Sequence, residues 1–278
     1  MVYIVLPVHN RVAITELFIR NLVKQSYRDF HLVLVDDGST DGTSEMVLSY
    51  LPAATILRGK GDWWWGGSLQ QSFHWISARQ ADKDDIVLLI NDDVSFDEHF
   101  LQNAVSCIRQ NPSSLVFARA CSESDGKITD RGVRVDWRTF KFNLVDRDED
   151  INCLSTRGLF MTVKTFLDIG GFKPRLLPHY LSDYEFTIRA GRRGFPFVTS
   201  EDLKLVVNES TTGYHGGIKA KSLGAYLKKM FSKKAAMNPV YFSSFVLITC
   251  PPRYIPVNLF RVWRIFAESV VQFMKGRN

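Results

Sequence analysis

Apolar runs and amphipathic stretches take turns along the first 120 residues. "VYIVLPV" (2–8), "HLVLVDD" (31–37), "ATILRG" (54–59), "DIVLLINDD" (85–93) and "SLVFARA" (114–120) each hold an apolar run of strand length. Between them, residues 13–26, 43–51, 67–80 and 98–111 space their apolar side chains as a helix does: Leu17, Ile19, Leu22 and Val23 in the first, Leu69, Phe73 and Ile76 in the third. Strict alternation predicts βαβ units, and so an α/β domain with a mostly parallel sheet and helices on both faces. Strands that are continuously apolar imply burial on both sides. Ligands of such sheets bind beyond the carboxyl ends of the strands. Those ends carry the polar residues here: "HNR", "DDGSTDG", "GKGD" and "NDD".

The pattern changes at residue 121. Residues 121–157 are polar and turn-rich and read as hairpins or an insertion. Core material returns at 157–172, a helix with two carboxylates near its start spans 181–195, and closing strands span 197–209. From 217 the chain is basic and amphipathic. The expected organisation is one domain over 1–216, in two parts (1–120 and 121–216), followed by a helical tail over 217–278.

Charge sharpens this division. The net charge of +6 is concentrated in the tail, where residues 217–278 hold 11 Lys and Arg against the single acid Glu268. The rest holds 24 against 28, which disfavours a nucleic-acid reader, whose body would be basic. Four scattered cysteines form no CxxC pair and point to a reducing compartment. No secretory leader precedes the first strand and no apolar run approaches membrane-spanning length. The expected location is therefore the cytoplasm, at the inner face of the cytoplasmic membrane. There the tail's paired lysines and apolar side would rest on anionic lipid. Packing on the catalytic domain, or a homodimer, is the other use for such helices.

Two strand ends are acidic. In "VLVDDGSTDGT" the pair Asp36 and Asp37 either contacts a base and ribose or builds a turn, with Asp41 capping the next helix. "VLLINDDV" repeats the feature with Asn91, Asp92 and Asp93. Two acids at an apolar strand end cost desolvation energy unless something positive sits there. A divalent cation bridging a diphosphate would supply that charge.

"VLPVHNR", "VDDGSTDGT", "INDDV" and "SDYEF", in this order over about residues 2–216, resemble the landmarks of inverting family-2 glycosyltransferases with the GT-A fold. That resemblance implies a nucleotide-sugar donor (UDP-, dTDP- or GDP-linked), a divalent metal (Mg²⁺ or Mn²⁺) and a saccharide or lipid-linked acceptor. It puts Pro7, His9, Asn10, Asp36, Asp37, Asn91 and Asp92 around the nucleotide, with Asp93 as metal ligand and His215 completing the shell. It makes 1–120 the nucleotide-binding half and 121–216 the acceptor-binding half of a catalytic domain. Asp183 of "LSDYEF" becomes the general base, kept ionised by a helix N-terminus, while Glu185, two residues on, points away from it toward the acceptor or Arg189. Arg157, Phe160, His179 and Tyr184 are the acceptor-side candidates. A sugar nucleotidyltransferase would want a Gly-rich basic loop after the first strand, and "PVHNRVAI" supplies none. A non-catalytic binding protein on the same fold would use its acids only in turns.

"GDWWWGG" (61–67) follows the third strand. Three adjacent tryptophans cannot all face one core. The expectation is a donor-side wall: Asp62 on a donor hydroxyl, Trp64 or Trp65 facing the cleft, and Gly66 and Gly67 letting backbone approach the ligand at a helix start near Gly67.

Overall fold

A computed structural model describes residues 1–145, 147–207 and 220–276. Four parallel strands form first: β1 (Val2–Val8), β2 (Phe30–Asp36), β3 (Thr55–Arg58) and β4 (Ile86–Leu89), in the order β3-β2-β1-β4. Their crossovers carry α1 (Val12–Leu22), α2 (Thr43–Tyr50) and α3 (Trp64–Ser77). A two-residue strand β5 (Val94–Ser95), α4 (Phe100–Gln110) and β6 (Leu115–Ser122) follow.

Beyond β6 the sheet departs from the expected parallel pattern and becomes mixed. The chain leaves β6 through β7 (Ile128–Asp130) and a separate antiparallel hairpin of β8 (Val133–Asp136) and β9 (Lys141–Leu144). It re-enters the sheet as β10 (Leu159–Thr162), antiparallel to both β4 and β6. An excursion that starts and ends at the same edge of a sheet must return as an antiparallel strand. After α5 (Val163–Ile169) and α6 (Ser182–Arg192), β11 (Phe197–Val207) pairs with β6 in parallel and with β5 antiparallel.

Two apolar layers cover the sheet. Phe18, Ile19 and Leu22 of α1, Val47 of α2 and Phe100, Leu101 and Val105 of α4 pack on one face. Leu69 and Ile76 of α3, Phe166 of α5 and Phe186 of α6 pack on the other. Leu17, although in helical register, points to solvent. β10 shows why a continuously apolar strand means burial on both sides: Leu159 and Met161 join one layer and Phe160 the other. Phe160 is thus a correction to the acceptor pocket. Its ring is fully buried against Phe100, centroids 5.4 Å apart, because both faces of this central strand are covered.

The C-terminal segment forms α7 (Leu223–Met230), α8 (Pro239–Thr249) and α9 (Ile255–Lys275). Asn238 caps α8 by accepting from the Val240 N–H, and Pro239 suits the first turn, where no intrahelical donor is needed. α8 buries Phe245 with Val133, Val135, Leu177 and Ile188, so these helices pack on the hairpin and α6. Asn258 of α9 donates to the Trp137 carbonyl at 2.9 Å.

Candidate active site

Parallel strands deliver the loops after β1, β2, β3 and β4 to one edge of the sheet, and backbone geometry welds them together. The Asp37 N–H donates to the Val8 carbonyl at 3.0 Å and the Gly59 N–H to the Asp36 carbonyl at 2.7 Å. Gly38 has φ +76, and a Cβ there would meet the Gly61 nitrogen at 2.7 Å, so only glycine allows the loops to approach this closely.

The two acids after β2 are engaged by their surroundings. Asp36 accepts from the Ser39 N–H at 2.8 Å and from the Ser44 hydroxyl. Asp37 accepts from the Gly61 N–H and the Trp64 N–H, both at 2.9 Å, and so fixes the loop after β3. His9 donates through Nδ1 to the Asp37 carbonyl at 2.6 Å, since a carbonyl can only accept. Asn10, with φ 51, accepts from the Thr40 N–H at 2.8 Å. Pro7 lies inside β1, paired with Val35, behind this edge.

After β4, Asp92 is buried against α1. It accepts from Arg11 Nε at 3.1 Å and from the Thr15 hydroxyl at 2.9 Å. Burial raises its carboxyl above the ordinary range even with Arg11 and Thr15 beside it. Asp93 approaches Arg11 through one oxygen, Nη2 to Oδ2 3.4 Å, and its side chain is 8% exposed. Its other oxygen, Oδ1, is buried without any hydrogen-bond donor. A buried carboxylate oxygen left unpaired is costly unless a cation takes it. Mg²⁺ and Mn²⁺ accept one or two carboxylates together with phosphate oxygens, so Asp93 fits such an ion. No cluster of three or more His, Cys, Asp or Glu stands ready for a metal among the described residues. Asn91 is half-buried beside this pair, and His215 lies outside the described residues. Arg11 is the positive partner that the acidic strand end required. The "HNR" after β1 was the signal for it.

The three tryptophans separate. α3 starts at Trp64, three residues earlier than expected, because Asp37 takes the Trp64 N–H. Trp63 and Trp65 pack on the α3 side of the core, and Trp65 Nε1 donates to the Thr156 hydroxyl at 3.1 Å. Trp64, held at φ 58, sets its ring edge-on to His179 at 5.6 Å. Asp62 is exposed at the rim. The two glycines need correction: they receive protein rather than ligand. A Cβ on Gly66 would sit 2.5 Å from the Leu177 carbonyl, and the Gly66 N–H donates to the Pro178 carbonyl at 2.9 Å. A Cβ on Gly67 would press on Trp63 at 3.1 Å. Gly66 thus serves the close seating of α3 on the turn that precedes α6, and Gly67 makes room for Trp63.

That turn carries the other side of the cleft. Asp183 stands in the first turn of α6, where its Oδ1 accepts from the Tyr184 N–H at 3.0 Å. Burial pushes its carboxyl up to about 6, against the pull of that N–H and of nearby Arg157; the charge of Asp130 adds to the rise. The helix N-terminus therefore does not keep Asp183 at an ordinary acid's pKa, because desolvation outweighs the dipole. Arg157 Nε is buried without an acceptor. The segment before it is stitched to its surroundings: Leu154 N–H to Thr187 Oγ1 at 3.0 Å, Ser155 to Asp130 at 3.0 Å, Thr156 to Trp65. Thr156, Asp130 and Thr15 are partners that the sequence patterns did not single out.

Tyr184 turns away from the sheet to stack on Phe142, centroids 5.5 Å apart. His179 is held down to about 4 by burial, with the charge of Lys234 adding to it, so its ring is neutral near pH 7. Glu185 is a correction to the catalytic pair. It is 2% exposed and ion-paired with Lys173 at 2.8 Å and Arg189 at 2.9 Å. Burial alone would raise its carboxyl, but these two cations hold it below the ordinary range. Arg189 continues to the carbonyls of Ile169, Gly170 and Gly171, so Glu185 anchors the 169–173 turn to α6.

The sequence profile of glycosyl transferase family 2 matches residues 3–166. Among solved structures, S. aureus TarS superposes with a TM-score of 0.60 at 16% identity, covering 91% of this chain and 50% of its own. The chain therefore spans half the length of that structure. The mannosyltransferase PcManGT from Pyrobaculum calidifontis, in complex with GDP-Man and Mn²⁺, superposes at 0.56 and 16% identity, with 99% and 79% covered. GalNAc-T7 with UDP, GalNAc and Mn²⁺ superposes at 0.62 and 12% identity, with 98% and 57% covered. At these identities the likeness shows a common fold. No curated protein matches by sequence.

Proposed function

Because the chain belongs to glycosyl transferase family 2, we propose that it transfers a sugar from a nucleotide-diphosphate donor to a hydroxyl of a saccharide acceptor, with inversion and with Asp183 as general base. The observation that carries this reading is the placement of Asp183. Its carboxyl, in the first turn of α6, is raised to about 6 by burial, with Arg157 and Asp130 as its charged neighbours. A base with this pKa is ionised at pH 7 yet takes up a proton readily. In the proposed step an acceptor oxygen attacks the anomeric carbon as its proton passes to Asp183. The bond from that carbon to the diphosphate oxygen breaks on the opposite face, and the nucleotide diphosphate leaves with the electron pair.

Structural neighbours crystallised with UDP-GlcNAc, UDP and GDP-Man support a nucleotide-sugar donor. The loops around His9, Asn10, Asp36, Asp37 and Asn91 are the proposed nucleotide side, with Asp62 and Trp64 toward the sugar. Asp93 Oδ1 is the proposed ligand for a divalent ion, which when bound would neutralise diphosphate charge. Arg11 holds both acids of that strand end in place. Arg157, unpaired at Nε, is proposed to hold the acceptor beside Asp183.

None of the described helices is long and apolar enough to cross a membrane. Peripheral contact with an anionic bilayer is proposed for α9. Its exposed Val257, Phe260, Trp263, Val271 and Met274 recur at helical spacing, near Arg261, Arg264 and Lys275.

The deciding experiment incubates the protein with UDP-, dTDP- and GDP-sugars and Mn²⁺ and follows donor binding and hydrolysis. At least one donor should bind and turn over. If none binds, the transferase assignment of this cleft fails.

A further inference from the structure

A cavity of about 390 Å³ lies between the hairpin and the C-terminal helices, outside the residues assigned to transfer. Phe140 and Phe142 of the hairpin, Tyr226 and Met230 of α7, Met237, and Phe266 of α9 line it, and no charged side chain does among the described residues. The hydroxyl of Ser269, also on the wall, spends its hydrogen on the Phe266 carbonyl at 2.7 Å. The cavity opens to the surface beside apolar side chains that are themselves exposed, Met237 and Ile265. An open apolar hollow of this size is a place for an apolar ligand.

Two connections lead from this cavity to the cleft. Phe142, on its wall, stacks on Tyr184, the residue after Asp183. The turn joining Met230 to Ala236, which both line the cavity, carries Lys233 and Lys234. Lys233 Nζ donates to the Asp62 carbonyl on the tryptophan loop at 3.3 Å. Lys234 lies close enough to His179 for its charge to act on that ring. The order in space is an apolar hollow, then two ammonium groups, one bonded to the tryptophan loop and one beside His179.

We propose that this cavity holds the apolar chain of a lipid-linked acceptor, whose phosphate sits on Lys233 and Lys234 and whose saccharide hydroxyl faces Asp183. The inference rests on the transferase reading and gives its acceptor a chemical class. The order of the groups selects it over a protein partner. An apolar helix or a second copy of the chain would fill the hollow without needing cations at the end nearest the cleft. A chain, phosphate and sugar in series needs them there.

The test is calorimetric titration of the full chain with farnesyl phosphate below its micelle concentration, alongside farnesol, inorganic phosphate and UDP with Mn²⁺. Farnesyl phosphate should bind roughly tenfold or more tightly than inorganic phosphate. Ser269→Phe and, separately, Ala236→Trp fill the cavity and should weaken farnesyl phosphate by about tenfold while leaving UDP binding and melting temperature intact. Lys233→Ala with Lys234→Ala should weaken farnesyl phosphate but leave farnesol unchanged. Wild-type affinity in both filled variants, or inorganic phosphate binding as tightly as farnesyl phosphate, overturns the inference and leaves the transferase reading standing. A dimer, seen by sedimentation, that the filling substitutions dissociate would give the cavity to a second copy and also overturn it. Absence of UDP binding in the wild-type protein would instead remove the reading on which the inference rests.

Discussion

Asp183 meets opposing demands: burial disfavours its charge, while its proposed task needs that charge. With the carboxyl at about 6, kcat/KM should fall on an acid limb near pH 6 and level off above it. Stability should show the opposite trend. A folded-state pKa above the ordinary 3.8 means that the native chain binds this proton more tightly than the unfolded chain. The contribution is fully present below about pH 4 and is lost as the pH rises through about 6. Asp183→Asn should therefore abolish transfer, keep UDP affinity, and raise the melting temperature more at pH 8 than at pH 5. At this chain length each kcal/mol corresponds to about 2–4 °C. Retained turnover would remove Asp183 from the role of base. Asp93 has its own signature. UDP should bind more tightly with Mn²⁺ than without, and Asp93→Ala should erase that difference; an unchanged metal dependence would place the ion elsewhere.

At the scale of elements, α3 decides how the two sides of the cleft meet. Its start is fixed from β2 by Asp37, and its first turn is pressed onto the turn before α6 through Gly66. Gly66→Ala should cost about 1–3 kcal/mol by overpacking against the Leu177 carbonyl, read as a lower midpoint in urea unfolding. The tryptophans should divide in the same way. Trp65→Ala removes packing and the hydrogen bond to Thr156, and should lose stability on the order of 2–4 kcal/mol. Trp64→Ala, whose ring meets His179 at the cleft, should change donor selectivity with a much smaller shift in melting temperature. Equal loss of stability in both would make the cluster wholly structural.

At the scale of the whole molecule, the C-terminal helices have an inner and an outer role. Their inner side packs on the hairpin and α6 through Phe245 and Asn258. On the outer side of α9, Phe260 is 65% and Trp263 45% exposed. Phe260→Glu with Trp263→Glu should therefore leave the melting temperature unchanged and abolish co-sedimentation with anionic vesicles. Persistent vesicle binding would exclude this face as the contact.

The alternation of apolar strands with amphipathic helices determined the α/β class, the elements to within a few residues, and the collection of acidic loops at one sheet edge. These features are local, and periodicity and strand-end polarity record them directly. The family was legible too, since its landmarks are short runs anchored to those strand ends. Tertiary structure alone decided which chemically similar residues do which work. Asp183 and Glu185 are two residues apart in one helical turn, yet Glu185 is neutralised by Lys173 and Arg189, while Asp183 is buried near Arg157 and Asp130 with its carboxyl raised. Phe160 looked like a pocket residue only while the second layer over β10 was unseen. "GDWWWGG" posed its question in sequence, but the answer depended on Asp37 from one loop and Leu177 from another. Burial and most of these partners come from other segments, as far along the chain as Leu177 is from Gly66, and periodicity does not encode them.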